Sequence, residues 1–134
     1  MFFSSKVFFI HNILLVILAS LVTFGLAKSS GTGEATFFEP GPGACGHINN
    51  AQDFIVAVSA KVFDTFPGAT ANTNDNPVCS KELTATFKGK SVKVTVVDRC
   101  AGCAENDIDL SPAAFDKLSP PSAGRLTGVS WTIS

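Results

Sequence analysis

The sequence lacks an excess of charge of either sign. Its 134 residues carry ten Lys and Arg residues against eleven Asp and Glu residues, which gives a formal net charge of −1. Proteins that bind nucleic acids or anionic membrane surfaces do so through clusters of basic residues. The composition therefore argues against both as partners of the folded part of the chain.

Several catalytic patterns are missing as well. His47 has no nucleophile pattern near it, so a Ser-His-Asp site has no support. No glycine-rich phosphate loop follows a predicted strand, and no cofactor is expected. The chain is expected to act as a monomer.

One long apolar run is present, at the N-terminus. Lys6 precedes residues 7–26, which are almost wholly apolar, and small residues lead up to Ala27. This pattern predicts a secretory signal peptide over residues 1–27 that is cleaved after Ala27. A retained membrane anchor is the alternative, because the run approaches spanning length. Cleavage leaves residues 28–134, enough for one secreted domain.

The four cysteines, Cys45, Cys79, Cys100 and Cys103, all follow the predicted leader. An even number in an exported chain predicts two disulfides, with three possible connectivities. We favour Cys45–Cys79 together with Cys100–Cys103. A zinc site from Cys45, His47, Cys100 and Cys103 is the alternative on spacing. Exported thiols oxidise, however, and one histidine remains, so no metal is expected.

Short strands separated by turn signals dominate the rest of the chain. Gly89 lies in a turn between two strand-like runs, Ser59 and Ser111 are placed to start helices, and residues 67–77 form a polar loop. The result is a small, mainly β domain with one or two short helices, and periodicity alone does not choose between sandwich and barrel. Strands are predicted over residues 32–38, 54–58, 83–87, 91–97 and 128–133.

Asp109 is the better of two candidate acids. It lies between Ile108 and Leu110, so partial desolvation is expected to raise its pKa. Glycoside hydrolysis ordinarily needs an acid of this kind and a second carboxylate. The alternative is that Asp109 helps to cap the helix that begins at Ser111-Pro112.

Asp98, at the end of an apolar run, is the second candidate. Its alternative roles are a salt bridge to the adjacent Arg99 or a turn cap. Asp107 is interpreted as a solvated loop residue, with a third acid as the alternative, and Trp131 as a core residue, with a sugar-stacking platform as the alternative. Phe37 and Phe38 are adjacent in a strand, so one is expected in the core and the other on a groove or in solvent.

Taken together, these residues resemble those of the double-psi β-barrel group. That group includes rare-lipoprotein-A-like domains, barwin, the first domain of expansins and the single-domain fungal loosenins, to which the chain is most similar. The resemblance covers roughly residues 31–131, and its most specific part combines DRC-x-x-C with IDLS and Pro-Ala-Ala-Phe. The segments that carry it, in order, are EATFF, GACG, NPVC, VVDRCAGC, IDLSPAAFDKL and GVSW.

The resemblance implies a six-stranded, disulfide-stapled barrel with an open groove across one face. In that groove Thr36, Phe37 and Phe38 match a threonine and two aromatics of the first strand. Asp98 and Asp109 match the two groove aspartates. These five residues are the implied polysaccharide-binding set, with Asp109 and Asp98 as the catalytic pair if any bond is cleaved. Barwin-type pairing also supports the Cys45–Cys79 disulfide.

Two departures from expansins concern this groove. Expansins usually carry a tyrosine among the aromatics, whereas this chain has none, and Phe38 cannot donate a hydrogen bond. Asp107 stands where expansins have the histidine of a His-Phe-Asp motif. The resemblance also covers only the first of the two expansin domains.

Three functions follow from these patterns. The first is a secreted protein that binds and loosens cell-wall polysaccharide, cellulose or chitin, without net hydrolysis. The second is a lytic-transglycosylase-like enzyme with Asp109 as its acid. The third is a defence or protease-inhibitor protein that uses the loop over residues 67–77. Both saccharide hypotheses require the carboxyl groups of Asp98 and Asp109 to meet beside Thr36 on a concave surface.

Overall fold

The computed structural model describes residues 30–134, so the predicted leader lies outside the described residues. The described part is built mainly of strands, as predicted, with two short α-helices and two 3-10 turns at Thr73–Asp75 and Pro121–Ala123. No helix within it is long and apolar enough to cross a membrane. The strands are β1 (Ser30–Phe37), β2 (Ile55–Ser59), β3 (Glu82–Phe87), β4 (Lys90–Cys100), β5 (Ile108–Leu110) and β6 (Leu126–Ile133), and the helices are α1 (Ala60–Thr65) and α2 (Pro112–Leu118).

The six strands close into a barrel in the order β1-β5-β2-β4-β3-β6, with β6 returning to β1. Two neighbouring pairs, β1 with β5 and β2 with β4, run parallel, and the other four pairs are antiparallel. The barrel prediction is confirmed. Because the parallel pairs need crossovers, residues far apart in the chain meet on the β1-β5-β2-β4 side.

The hairpin of β3 and β4 shows how local sequence sets the barrel wall. Lys88 and Gly89 have φ angles of 46° and 81°, the positive values that a two-residue hairpin turn of type I′ requires. Along β4, Val92, Val94 and Val96 are buried while the residues between them are exposed. The predicted alternation of faces is confirmed, and it fixes the register of the hairpin.

Each helix begins at a serine, as predicted. The side chain of Ser59 accepts a hydrogen bond from the backbone N–H of Val62 at 3.2 Å, and that of Ser111 accepts from Ala114 at 3.3 Å. Both serines are fully buried, so these bonds satisfy groups that water cannot reach. Helix α2 then places Phe115 and Leu118 in the core.

Both favoured disulfides are confirmed. Cys45 pairs with Cys79 and Cys100 with Cys103, and no free cysteine remains in the described part of the chain. The zinc alternative is wrong, because its three cysteine ligands are oxidised. The loop over residues 67–77 is largely exposed, as predicted, except that Asn76 is buried and its Nδ2 donates to the carbonyl of Phe63 at 2.7 Å.

Candidate functional site

Four residues form a row across the strands β1, β5, β2 and β4. Thr36 pairs with Asp109, Asp109 pairs with Ala57, and Ala57 pairs with Asp98. Residues that are directly paired in a sheet point to the same face. The buried neighbours of the row, such as Ala35, point into the core, so the row lies on the outer face of the barrel. Asp98 and Asp109 are therefore two strand spacings apart, with Cα atoms separated by roughly 9.5 Å.

Asp109 lies beside Thr36, as the resemblance implied. The hydroxyl of Thr36 donates a hydrogen bond to Oδ1 of Asp109 at 2.9 Å. Burial between apolar neighbours raises the pKa of Asp109, and the nearby charge of Asp98 raises it further. The Thr36 hydrogen bond and the positive charge of Arg125 oppose this rise in pKa. The expected direction of the shift is confirmed, and desolvation is its largest cause.

Asp109 opens into a cleft of about 210 Å³. The cleft combines carboxylates, a hydroxyl, a guanidinium and a disulfide, so it offers hydrogen-bond acceptors and donors beside an apolar sulfur surface. Its lining residues are Thr36, Cys100, Gly102, Cys103, Asp107, Asp109 and Arg125. Within residues 30–134 no group of three or more His, Cys, Asp or Glu residues is arranged to hold a metal ion.

Asp107 belongs to this cleft rather than to a solvated loop, which corrects the interpretation from sequence. It is half-buried, and its Oδ1 accepts a hydrogen bond from the backbone N–H of Glu34 at 2.9 Å. The approach depends on Gly33, where a Cβ atom would lie 2.4 Å from the carbonyl oxygen of Asn106. Because Gly33 has no side chain, the 104–107 loop can approach β1 closely enough to place Asp107 in the cleft.

Arg125 is the cleft residue that sequence reasoning missed. The register Ala35↔Leu126 between β1 and β6 places it next to Thr36. Its Nη1 lies 2.6 Å from Oε2 of Glu34, in an ion pair between partly exposed side chains. No local sequence motif predicts that Arg125 lies in the cleft. Only the closure of the barrel by β1 and β6 brings it to the acids.

Asp98 is not among the residues that line the cleft. Its Oδ1 accepts hydrogen bonds from the backbone N–H groups of Ala44 and Arg99, both at 2.8 Å. The alternative of a salt bridge to Arg99 is wrong, because that guanidinium pairs in a bidentate manner with Asp64 at 2.7–2.8 Å. Asp98 therefore ties the 43–44 loop to the end of β4, on the same face of the barrel as Asp109.

The two aromatics of β1 lie apart from the cleft lining. Phe37 is 39% exposed and contacts the ring of Phe115 edge-on, with centroids 4.8 Å apart. Phe38 is half-buried and directly follows the last residue of β1. The expectation that one of them is core is wrong, because both lie where β1 leaves the barrel. Trp131 is buried as predicted, with its Nε1 donating to the carbonyl of Asn106 at 2.8 Å.

The capping alternative for Asp109 is also settled by geometry. The side chain of Ser111, not that of Asp109, accepts the hydrogen bond at the start of α2. The hydrogen bond that the Asp109 side chain accepts in the described part of the chain comes from Thr36. A half-buried carboxylate with a raised pKa in a cleft, without a structural duty in the neighbouring helix, is a candidate for ligand contact.

Comparison with known protein families supports this architecture. The model of a double-psi β-barrel family, described as "Lytic transglycolase", matches residues 30–129. An "Allergen Asp f 7 homolog" from Arthroderma benhamiae is 34% identical over 119 residues, which cover 78% of this chain. The chain spans only 39% of the length of that relative.

Two further similarities concern proteins with stated ligands. A "Papain inhibitor" from Streptomyces mobaraensis is 35% identical over 103 residues, covering 75% of this chain and 68% of the relative. The solved structure of a Streptomyces papain inhibitor has a TM-score of 0.72 at 32% identity and covers 81% of this chain and 96% of that chain.

The second is a solved structure of an expansin from Clavibacter michiganensis in complex with cellohexaose. It has a TM-score of 0.62 at 26% identity, and the match covers 78% of this chain and 50% of that chain. The barrel, the disulfides and the family match agree with the resemblance seen in the sequence. The chain therefore belongs to the double-psi β-barrel family of rare-lipoprotein-A-like and expansin-like domains.

Proposed function

We propose that this protein binds cell-wall polysaccharide in the cleft at Asp109 and loosens its packing without net bond cleavage. The observation that carries the proposal is the half-buried Asp109 carboxylate, hydrogen-bonded to Thr36, in a cleft lined by further polar side chains. Sugar hydroxyls donate to such carboxylates. The likeness to an expansin that was solved with cellohexaose supports a glucan or a related glycan as the ligand class.

The arrangement of the acids favours binding over hydrolysis. Hydrolytic pairs flank the scissile bond, with carboxyl groups roughly 5 to 9.5 Å apart on opposite sides of the sugar. Here Asp98 lies outside the cleft lining, held by two backbone amides. Asp107 is in the cleft, two residues before Asp109 in the chain. The two carboxylates of the cleft lining thus come from one three-residue segment, which does not match a pair of acids placed on either side of a bound sugar.

The test compares the purified protein with its Asp109→Asn variant on insoluble cellulose and chitin. We expect the wild type to partition onto at least one of them and to weaken a strip or film of it mechanically, without releasing soluble sugar. Asn keeps the shape and the Thr36 contact but loses the charge, so binding and loosening should both fall severalfold. An Asp98/Asp109 double Asn variant should bind no better than the single variant.

Asp116→Asn serves as the matched control, since Asp116 is an exposed acid on α2 outside the cleft. It should bind and loosen like the wild type. Equal activity in the Asp109→Asn variant would contradict the proposal, because the carboxylate would then have no part in the interaction.

A lytic-transglycosylase-like enzyme is the second candidate, favoured by the description of the matching family and by the raised pKa of Asp109. A carboxyl that stays protonated at a higher pH is a better general acid. Incubation with peptidoglycan, chitin and cellulose, followed by mass spectrometry of the supernatant, distinguishes it. Oligosaccharide release that disappears in Asp109→Asn would establish this function in place of loosening.

Protease inhibition is the third candidate, favoured by the likeness to the papain inhibitor in sequence and structure. The exposed loop over residues 67–77 would then be the contact element. A papain assay with the wild type and with a variant whose 67–71 segment is replaced by Gly and Ser residues tests this. Inhibition that is lost in the loop variant and kept in Asp109→Asn would assign the function to the loop.

The proposal includes a secreted location. Two disulfides in a chain of this size are typical of oxidising compartments outside the cytosol. The predicted leader agrees with such a location. N-terminal sequencing of protein recovered from culture medium is expected to begin at Lys28.

A further inference from the structure

We propose that the cleft prefers amino-sugar polymers with free ammonium groups, as in partly deacetylated chitin, over neutral or anionic glycans. This inference rests on the proposed polysaccharide binding and names its substrate class. It comes from the balance of charge and of unused hydrogen-bonding groups around Asp107 and Asp109.

The charges of the cleft leave two carboxylates in excess. Arg125 is the only basic residue among those that line it, and its guanidinium is paired with Glu34 at 2.6 Å. This ion pair leaves the charges of Asp107 and Asp109 without a basic partner at hydrogen-bonding distance among the described residues. A cationic group entering the cleft would therefore meet net negative charge, and a uronate would be repelled.

The two carboxylates also have acceptor capacity to spare. Asp107 accepts from the backbone N–H of Glu34 and Asp109 from the hydroxyl of Thr36, each through Oδ1. An ionised carboxylate offers about four lone-pair sites on two oxygens. Among residues 30–134 no hydrogen bond reaches Oδ2 of either acid. Each acid therefore keeps an acceptor oxygen for a ligand.

An ammonium group matches this pair better than a hydroxyl or an acetamide. It carries three donors and a positive charge, so one ammonium group can donate to more than one carboxylate oxygen. Hydrogen bonds between ionised partners are roughly twice as strong as neutral ones. Burial of Asp109 makes its negative charge unfavourable without a partner, and a bound cation relieves that penalty. A neutral acetamide provides one N–H and no charge.

The experiment is calorimetric titration of the protein with four soluble hexasaccharides. They are the hexamers of glucosamine, of N-acetylglucosamine, of glucose (cellohexaose) and of galacturonate. At about pH 6, chosen well above the ordinary carboxyl pKa of about 4 because the pKa of Asp109 is raised, the glucosamine oligomer should bind about tenfold more tightly than the two neutral oligomers. That factor corresponds to the gain from one charge-assisted hydrogen bond. The oligogalacturonate should bind most weakly, and salt should shrink the preference.

Asp107→Asn isolates the preference from the binding itself. The amide oxygen can still accept from the Glu34 backbone, so the 104–107 loop stays in place. We expect the ratio between the affinities for the glucosamine oligomer and for the neutral oligomers to fall towards one in this variant, and Asp116→Asn to leave all of these affinities unchanged. Equal affinities for the glucosamine and N-acetylglucosamine oligomers in the wild type would overturn this inference and leave polysaccharide binding standing. No binding of any oligomer or insoluble glycan would overturn the proposed function itself.

Discussion

Asp98 and Asp109 lie in one row on either side of Ala57, and each has a disulfide close by. On the Asp98 flank, Asp98 accepts from the backbone N–H of Ala44, next to Cys45 of the Cys45–Cys79 bridge. On the Asp109 flank, Asp109 accepts from a side-chain hydroxyl and shares its cleft with the Cys100–Cys103 bridge. The same residue types thus occur in two different environments.

The donors explain the difference between the two flanks. Backbone amides hold Asp98 in a fixed position, and they lose a half-buried partner if the carboxylate is removed. Thr36 gives Asp109 a single donor, while burial works against its charge. The Asp98 flank is therefore expected to stabilise the barrel, and the Asp109 flank to bind ligand at some expense of stability.

The largest expected difference between the flanks concerns the disulfides. Cys45 and Cys79 are 34 residues apart, and removing a loop constraint of that length costs about 4 kcal/mol in the chain-entropy model. Cys100 and Cys103 are 3 apart, so their removal costs about 2 kcal/mol. Urea denaturation of the paired Ala variants measures both values. Only the Cys100/Cys103 variant should also lose oligosaccharide affinity, because that bridge lines the cleft.

A loss of oligosaccharide affinity in the Cys45/Cys79 variant instead would contradict this difference between the two flanks. If the Cys45/Cys79 variant, studied where it remains folded, bound sugar more weakly than the Cys100/Cys103 variant, the ligand would have to contact the Asp98 flank. Near-UV circular dichroism of both variants controls for loss of tertiary structure.

Asp98→Ala is the next largest change. It leaves the backbone N–H groups of Ala44 and Arg99 without their common acceptor, which costs about 1–3 kcal/mol. Asp98→Asn keeps an oxygen in the same place and should cost much less. Chemical denaturation of the two variants checks this. Equal destabilisation by Ala and Asn would mean that the charge, not the acceptor, supports the loop.

Asp109→Asn is expected to act in the opposite direction. Because burial raises the pKa of Asp109, the folded state binds its proton more tightly than the unfolded chain does. The ionised form therefore lowers stability at neutral pH, and this loss fades as the pH falls through the folded pKa. The variant should have a higher free energy of unfolding than the wild type at pH 7, with no difference below the ordinary carboxyl pKa of about 3.9.

A lower stability of Asp109→Asn at pH 7 would show that the carboxylate has a structural partner, as Asp98 has. Asp116→Asn provides the baseline for removing one exposed acid from the same protein. The measurement is a series of thermal melts or denaturation curves at several pH values.

Local patterns predicted the parts of the molecule that local chemistry controls. The alternation of Val92, Val94 and Val96, the glycine turn and the partial burial of Asp109 all follow from neighbours in the chain. Arg125 was not predictable in this way, since it meets Glu34 across 91 residues of sequence. The hydrogen bond from the backbone N–H of Ala44 to Asp98, 54 residues apart, was not predictable for the same reason. Barrel closure creates these contacts, and no short pattern encodes it.

The smallest expected effect concerns the pKa of Asp109 and the groups that shift it. The hydroxyl of Thr36 lowers the pKa of Asp109 against the effect of burial. Thr36→Val keeps the shape and removes the donor, so the pKa of Asp109 should rise further, whereas Thr36→Ser should leave it nearly unchanged. Carbon-detected NMR titration of the carboxyl group measures this directly. Asp98→Asn should lower the same pKa, because the charge of Asp98 raises it across Ala57. An Asp109 pKa that does not respond to the Asp98 change would mean that the two flanks are electrostatically independent.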